Sequence, residues 1–315
     1  MSAAAELIQH CRTQLRKVVV GQQEAIDHTV LTLLCGGHAL LEGVPGMAKT
    51  LLAKTLARIL RIQYQRVQCT SDLMPADILG TNVLNVATAT FALHRGPVFT
   101  DLLLVDEINR MPPRTQAALL ECMEEHQVTI DGIRHPLSQA FTVIGTENPI
   151  EFEGTYPLPE AQLDRFLLKI NIGYLSAEEE VQVLGSHHNG FDPHQLERME
   201  FETIDEQQLV AAREEVKRVR IEEALFRYLV QLVRRTRDWP SISLGASPRA
   251  AVTLMIAAKG MAAMDGRDYL IPDDIKGAAL PVLRHRLLLK PEAELEGISA
   301  DQVIKDLVKT VEVPR

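Results

Sequence analysis

The chain has 315 residues, enough for about two domains. Hydrophobic residues make up 46% and charged residues 24%, which excludes a disordered, collagen-like or disulfide-scaffolded chain. With 33 Lys+Arg against 42 Asp+Glu the formal charge is −9, and aromatics are only 4%. Both counts argue against a protein that relies on long-range attraction to nucleic-acid phosphates or on stacked bases, while leaving a local basic patch open.

The N-terminal stretch, Met1 to Arg12, carries Glu6 and no early basic region, so it does not read as a signal peptide. Cys11, Cys35, Cys69 and Cys122 form no CxxC pair and read as free thiols in a reducing compartment. No apolar run approaches the ~20 residues of a membrane span. A cytoplasmic protein is the expectation.

In chain order, short apolar runs alternate with amphipathic stretches. Strands are expected at His38–Glu42, Tyr64–Cys69, Leu102–Asp106, Phe141–Gly145 and Leu167–Ile172, and helices at Lys49–Leu60, Arg114–His126 and Ala177–His187. The strands are short and read as mostly apolar, which predicts a buried parallel sheet, and the alternation with helices predicts an α/β fold. Thr81–Phe99 has no helical period and reads as an inserted hairpin or loop. Gln127–Leu137 contains Asp131-Gly132 between β-formers, a hairpin signal. Both segments are candidates for contact with a partner. From about Asn189 the strands are expected to stop, and helices follow at Asp205–Val219, Glu222–Asp238, Ser247–Met264, Pro272–Leu287 and Ser299–Val311. The expected boundary lies in the polar stretch His187–Met199.

Gly43-Val44-Pro45-Gly46-Met47-Ala48-Lys49-Thr50 follows an expected strand and opens an expected helix, with Leu51 next. That is the context of a phosphate-binding loop, in which backbone N–H groups converge on phosphate oxygens at a helix N-terminus. Lys49 would supply charge to the phosphates, and Thr50 a hydroxyl to Mg²⁺. Ala48 stands where such a loop usually has Gly; the loop survives if that position is already helical. Leu102–Val105 then ends in Asp106-Glu107. In an open α/β sheet this brings two acids beside the phosphate loop. Asp106 would hold Mg²⁺, and Glu107 would polarise an attacking water. A third apolar strand ends at Glu147-Asn148-Pro149, where Asn148 could bond the water or the γ-phosphate. Arg165 and Arg249 could stabilise a transferring phosphoryl group, although an ordinary ion pair is the usual fate of an arginine.

The order of these motifs resembles AAA+ ATPases, and the MoxR family among them. The resemblance rests on residues 43–50, on Val105 to Glu125, on Tyr156 to Phe166 and on Gly245 to Ala250, and it spans roughly residues 20 to 287. It implies a five-stranded parallel sheet in the order 5-1-4-3-2, with residues 1–190 as the nucleotide-binding domain and 191–315 as a helical lid. It implies ATP and Mg²⁺, with Gly21 and Gln22 at the adenine, Asn148 as sensor 1, Arg165 as an arginine finger and Arg249 as sensor 2, in the same or the adjacent subunit. Ala48 is usual in this family; Glu147 departs from a common Gln. A homo-oligomeric ring, usually hexameric, and a partner with a von Willebrand factor A domain follow from the same resemblance, with chaperone-like maturation or metal insertion as the role. With no appended effector domain expected, the user of the work would be another chain. The alternatives are a magnesium-chelatase ATPase subunit, a DNA-directed AAA+ motor, and a small-molecule kinase.

Other clusters read blandly. His187, His188 and His194 lack metal-site spacing. Arg213, Lys217, Arg218 and Arg220, interleaved with Glu214 and Glu215, read as a solvated helix face. Met255, Met261 and Met264 read as core.

Overall fold

The computed structural model describes residues 2–87, 89–149 and 154–314. Five strands, β1 (Ala39–Glu42), β2 (Tyr64–Gln68), β3 (Leu102–Asp106), β4 (Thr142–Glu147) and β5 (Leu168–Asn171), form one sheet in the order β2-β3-β4-β1-β5. Every pairing is parallel. From the other edge this reads 5-1-4-3-2, the expected order.

Alternation along the strands divides the core. Ala39, Leu41, Leu102 and Leu104 enter one apolar cluster, while Leu40, Leu103 and Val105 enter the other. Successive side chains point to opposite faces, so a strand that is apolar throughout must be covered on both. The helices of this part are α1 (Ala3–Leu15), α2 (Gln23–Leu34), α3 (Lys49–Ile59) and α4 (Pro113–Glu125), of which α2 packs on β5 and α3 on β3, while α1 packs on α2 and α3. The first two were not anticipated. In α1, Ser2 Oγ accepts the N–H of Ala5, and Leu7, Ile8, Cys11 and Leu15 form the buried stripe. Helix α2 is buried on most of its surface, which erases the amphipathic period.

Beyond β5 come α5 (Ala177–His188), α6 (Glu206–Arg218), α7 (Glu223–Arg235), α8 (Pro248–Met264), α9 (Pro272–Leu283) and α10 (Ala300–Thr310). Helix α7 buries Leu225, Tyr228, Leu229, Leu232 and Val233 at helical spacing. One correction concerns strands. They do not stop at Asn189, because Ile242–Leu244 pairs antiparallel with Leu288–Leu289. So short a ribbon leaves no periodicity to read.

Arg213 is a second correction. It donates Nε to Leu33 O at 2.8 Å, Nη1 to Gln139 O at 3.0 Å and Nη2 to Ala140 O at 3.5 Å. It ties α6 to the sheet rather than lining a solvated face. Lys217 and Arg220 do form exposed ion pairs, with Glu214 and Asp268. Met255, Met261 and Met264 pack half-buried against the core.

The segment read as a hairpin or loop is a hairpin, and the hairpin expected at Asp131-Gly132 is present. Gly80–Asn85 pairs with Thr90–Arg95, and Gln127–Ile130 with Ile133–Pro136 across Asp131-Gly132. Thr88 lies outside the described residues. Asn82 Nδ2 donates to Asp131 Oδ2 at 2.7 Å, which links the two hairpins. Among the described residues no three or more of His, Cys, Asp and Glu cluster as a metal-ion site, and no helix is long and apolar enough to cross a membrane. The side chain of His194 lies outside the described residues.

Candidate active site

In a parallel sheet all strands point the same way, so the residues just past their C-terminal ends meet at one edge. Gly43 follows β1, Glu107 follows β3 and Asn148 follows β4. The loop after β1 leads into α3, whose cap, Ala48, provides no side-chain hydrogen bond. Helix N-termini present N–H groups without intrahelical partners, and an uncapped one suits an anion. A Cβ on Gly43 would sit 2.7 Å from Ile172 O, and Gly46 has φ +85. Both glycines are therefore required by the backbone path.

Ala48 corrects an expectation. Its φ is 59 and ψ 18, the left-handed region, and not the right-handed helical conformation that would make Ala equivalent to any other residue. An L-residue there costs roughly 1–2 kcal/mol, so strain is held at the turn into α3.

Lys49 Nζ donates to Gly43 O at 2.5 Å and to Glu147 O at 3.1 Å. Thr50 Oγ1 donates to Asp106 Oδ2 at 3.3 Å. A hydroxyl and a carboxylate oxygen converging at a helix N-terminus are hard donors of the kind Mg²⁺ takes, so Thr50 and Asp106 fit that ion. Arg66, on β2, donates Nη2 to the same Asp106 oxygen at 2.6 Å. Thr146, fully buried, links the acids: its Oγ1 donates to Asp106 Oδ1 at 2.7 Å and accepts the N–H of Glu107 at 2.9 Å. Glu107 has φ 59 and pairs with Arg110 at 2.9 Å. A non-glycine residue in that region is strained, and such strain gathers at functional sites. Asn148 is buried beside them. At Glu147, burial pushes the carboxyl above its usual range; Lys169 opposes this, Glu42 adds to it and Lys49 opposes it.

Gly21 and Gln22, with φ 64 and 53, flank this edge. Gln22 Nε2 donates to Gly173 O at 2.7 Å, next to the Ile172 that supports Gly43. A Cβ on Gly21 would sit 2.7 Å from Glu179 Oε1 of α5.

Arg165 and Arg249 are brought together, but elsewhere. Arg165 precedes β5, and Leu167 N donates to His38 O ahead of β1. The N-terminal edge of the sheet is thus one strand length, on the order of 13 Å or more, from the phosphate loop. There Arg165 Nη2 meets Glu124 Oε2 at 3.0 Å, and Arg249 Nη1 meets Glu124 Oε1 at 3.1 Å. The two arginines line a cleft of about 250 Å³ with Glu124, His126, Asp164 and Arg286. Arg286 is buried. It donates Nε to Asp164 Oδ1 at 2.6 Å and Nη2 to Phe166 O at 2.7 Å. Ser247 Oγ donates to Asp164 Oδ2 at 3.2 Å, at the start of the helix that carries Arg249. Asp164 therefore anchors both arginine-bearing segments. Arg66, Glu124, Thr146, Asp164 and Arg286 were not singled out from the sequence. Polar residues inside apolar strands, Thr146 above all, were the available signal.

A model of the ATPase family associated with various cellular activities (AAA) matches residues 38–168, and one of the AAA lid domain matches 234–307. Uncharacterized protein YeaC of Bacillus subtilis is 43% identical over 300 residues, covering 95% of this chain and 92% of that protein. Chaperone MoxR1 of Mycobacterium tuberculosis is 39% identical over 326 residues, covering 100% of this chain and 84% of that protein. The crystal structure of a candidate ATPase from Cytophaga hutchinsonii superposes with a TM-score of 0.89 at 41% identity, covering 99% of this chain and 96% of that one. Sheet order, the loop into α3 and these likenesses agree: the chain belongs to the MoxR family of AAA+ ATPases.

Proposed function

We propose that the chain hydrolyses ATP with Mg²⁺ in a head-to-tail homo-oligomeric ring, hexameric as the family resemblance suggests, and uses the turnover to remodel or mature a partner protein. Residues 1–190 serve as the nucleotide-binding domain and 191–315 as the lid. The phosphates lie on residues 43–51 with Lys49 beside them, and the adenine lies against Gly21 and Gln22. Thr50 and Asp106 hold the Mg²⁺, which supplies charge neutralisation on the phosphates when bound. Glu107 orients and polarises the attacking water, and Asn148 holds that water or the γ-phosphate. Arg165 and Arg249 act on the neighbouring subunit's nucleotide.

The observation that carries this reading is the separation of the two halves of the site. Lys49, Asp106 and Glu107 lie at one edge of the sheet, and Arg165 and Arg249 together at the other. Two guanidiniums a strand length from their own phosphate loop cannot serve it, but they suit a loop presented by the next copy. A partner protein finds support in Val86, Phe91 and Ile133, exposed on the two linked hairpins, and in the likeness to the mycobacterial chaperone MoxR1. A von Willebrand factor A domain protein is the partner the family resemblance suggests.

Mixing two inactive variants tests the ring. Lys49→Ala subunits keep their arginines and Arg165→Ala subunits keep their loop, so a mixture recovers turnover that neither has alone. Wild-type turnover by Arg165→Ala, or no recovery on mixing, overturns the reading. Glu107→Gln, expected to bind ATP without turning it over, should retain the partner in ATP and lose it when Lys49 is also replaced.

A further inference from the structure

Helix α4 ends against local preference. Its last turn holds Glu124 and Glu125 with no basic residue, and the next residue, His126, takes φ 49 without being glycine. The C-terminal end of a helix carries partial negative charge, which disfavours acids there. A local rule broken at a cleft points to a tertiary demand.

The demand is visible in the ion pairs. Glu124 spends one oxygen on each arginine: Oε2 on Arg165 Nη2 at 3.0 Å and Oε1 on Arg249 Nη1 at 3.1 Å. A guanidinium has five N–H donors, so both arginines keep donors for a further acceptor. One carboxylate against two guanidiniums also leaves one positive charge uncompensated at the mouth of the cleft. The third arginine there, Arg286, is matched by Asp164 at 2.6 Å. A shared anchor also restricts two long side chains that would otherwise each lose rotamer freedom on meeting a phosphate.

The position of Glu124 is held in turn from below. His38, buried at the start of β1, donates Nε2 to the carbonyl of Met123 at 3.1 Å, one residue before Glu124, while its Nδ1 accepts the N–H of Val143 at 2.9 Å. The end of α4 is thereby fixed to the sheet edge.

We propose that Glu124 is a positioning residue that sets Arg165 and Arg249 as one fork for the phosphates of a neighbouring copy. It acts through the two guanidiniums it holds. The proposal rests on the reading that these arginines act in trans.

The test compares Glu124→Ala, Glu124→Gln, Arg165→Ala and the Glu124→Ala/Arg165→Ala double variant. For each, steady-state ATP turnover, affinity for a fluorescent ADP analogue and thermal midpoint are measured. Glu124→Ala should lower kcat by about 10- to 100-fold, the scale expected for misplaced charge stabilisation. ADP affinity should stay within about two-fold, because the subunit's own phosphate loop is at the opposite edge. The double variant should be no more than about two-fold below Arg165→Ala alone, since residues acting as a unit are not additive. Adding Lys49→Ala subunits, which carry intact Glu124, Arg165 and Arg249, should restore turnover to Glu124→Ala subunits. Merely structural damage to a subunit's own loop would not be restored. Should Glu124→Ala fold poorly, Glu124→Gln, which keeps one acceptor oxygen, carries the same comparison with a smaller loss. Turnover by Glu124→Ala or Glu124→Gln at the wild-type level, with Arg165→Ala impaired, overturns the proposal and leaves the trans reading standing. Multiplying effects in the double variant, or no rescue by Lys49→Ala subunits, overturn it as well. Wild-type turnover by Arg165→Ala removes the trans reading and the proposal with it.

Discussion

The Thr146 hydroxyl donates to Asp106 Oδ1 at 2.7 Å, and the same oxygen accepts the N–H of Glu107 at 2.9 Å. One buried side chain thus sets the orientation of two consecutive acids. It does so from β4, the strand beside theirs.

Thr146→Val keeps the shape and removes both hydrogen bonds. Leaving buried polar groups unpaired costs about 1–3 kcal/mol, so the urea midpoint should fall. Turnover should fall by about tenfold or more, as orientation of a general base commonly contributes 10²–10⁴-fold. Nucleotide affinity should hold, because the loop at 43–51 is intact. Phosphate release at the wild-type rate would remove Thr146 from the site.

Asp164 faces a different test. It holds the Arg286 guanidinium, whose side chain is only 2% exposed. Removing one member of a buried pair strands the other charge, at about 3–5 kcal/mol. Asp164→Asn should therefore lower the thermal midpoint clearly. Asp164→Asn with Arg286→Met should recover part of that loss, because no charge is then stranded. Turnover should stay low in the double variant, since the segments carrying Arg165 and Arg249 lose their common anchor. Full recovery of turnover would show that the anchor does not matter to the arginines.

Acid should destabilise the fold through buried histidines. Burial pushes His38 down to about 4 from 6.5, and its Nδ1 accepts the N–H of Val143, which fits the neutral ring. Between those values the unfolded chain binds a proton that the folded chain refuses. The stability from this group is complete above pH 6.5 and is lost as the pH falls toward 4, by about 3 kcal/mol at most. His28 and His285, also pushed down by burial, add in the same direction. Urea midpoints should drop steadily from pH 7 to pH 5, and less steeply in His38→Gln. An identical slope in that variant would rule out His38 as a source.

Much of the phosphate-loop edge was legible because its residues are local. Lys49 and Thr50 sit in one short run, and Asp106 and Glu107 end one apolar strand, so spacing alone indicated which side chains gather at this sheet edge. The central strands β1, β3 and β4 were legible because a mostly apolar run marks a strand covered on both faces, whereas β2, at the sheet edge, carries Gln65, Arg66 and Gln68 and is mostly exposed. Helix α2 was not, because burial on most sides removes its period. The left-handed backbone of Ala48 was not legible, because composition does not disclose φ. The anchoring role of Arg213 was not legible either, because three backbone carbonyls from distant segments take up its donors and no neighbouring residue signals that.

The sequence by itself determined where the strands lie along the chain, the glycine-bearing turn into α3 and the paired acids ending β3, since these follow from runs of adjacent residues. Only the tertiary structure decided that Arg165 and Arg249 share Glu124 at the sheet edge away from Lys49, and that Thr146 joins Asp106 to Glu107. The physical reason is that such contacts join segments far apart in the chain. Strand direction, register and helix packing set their positions, and no local pattern encodes them.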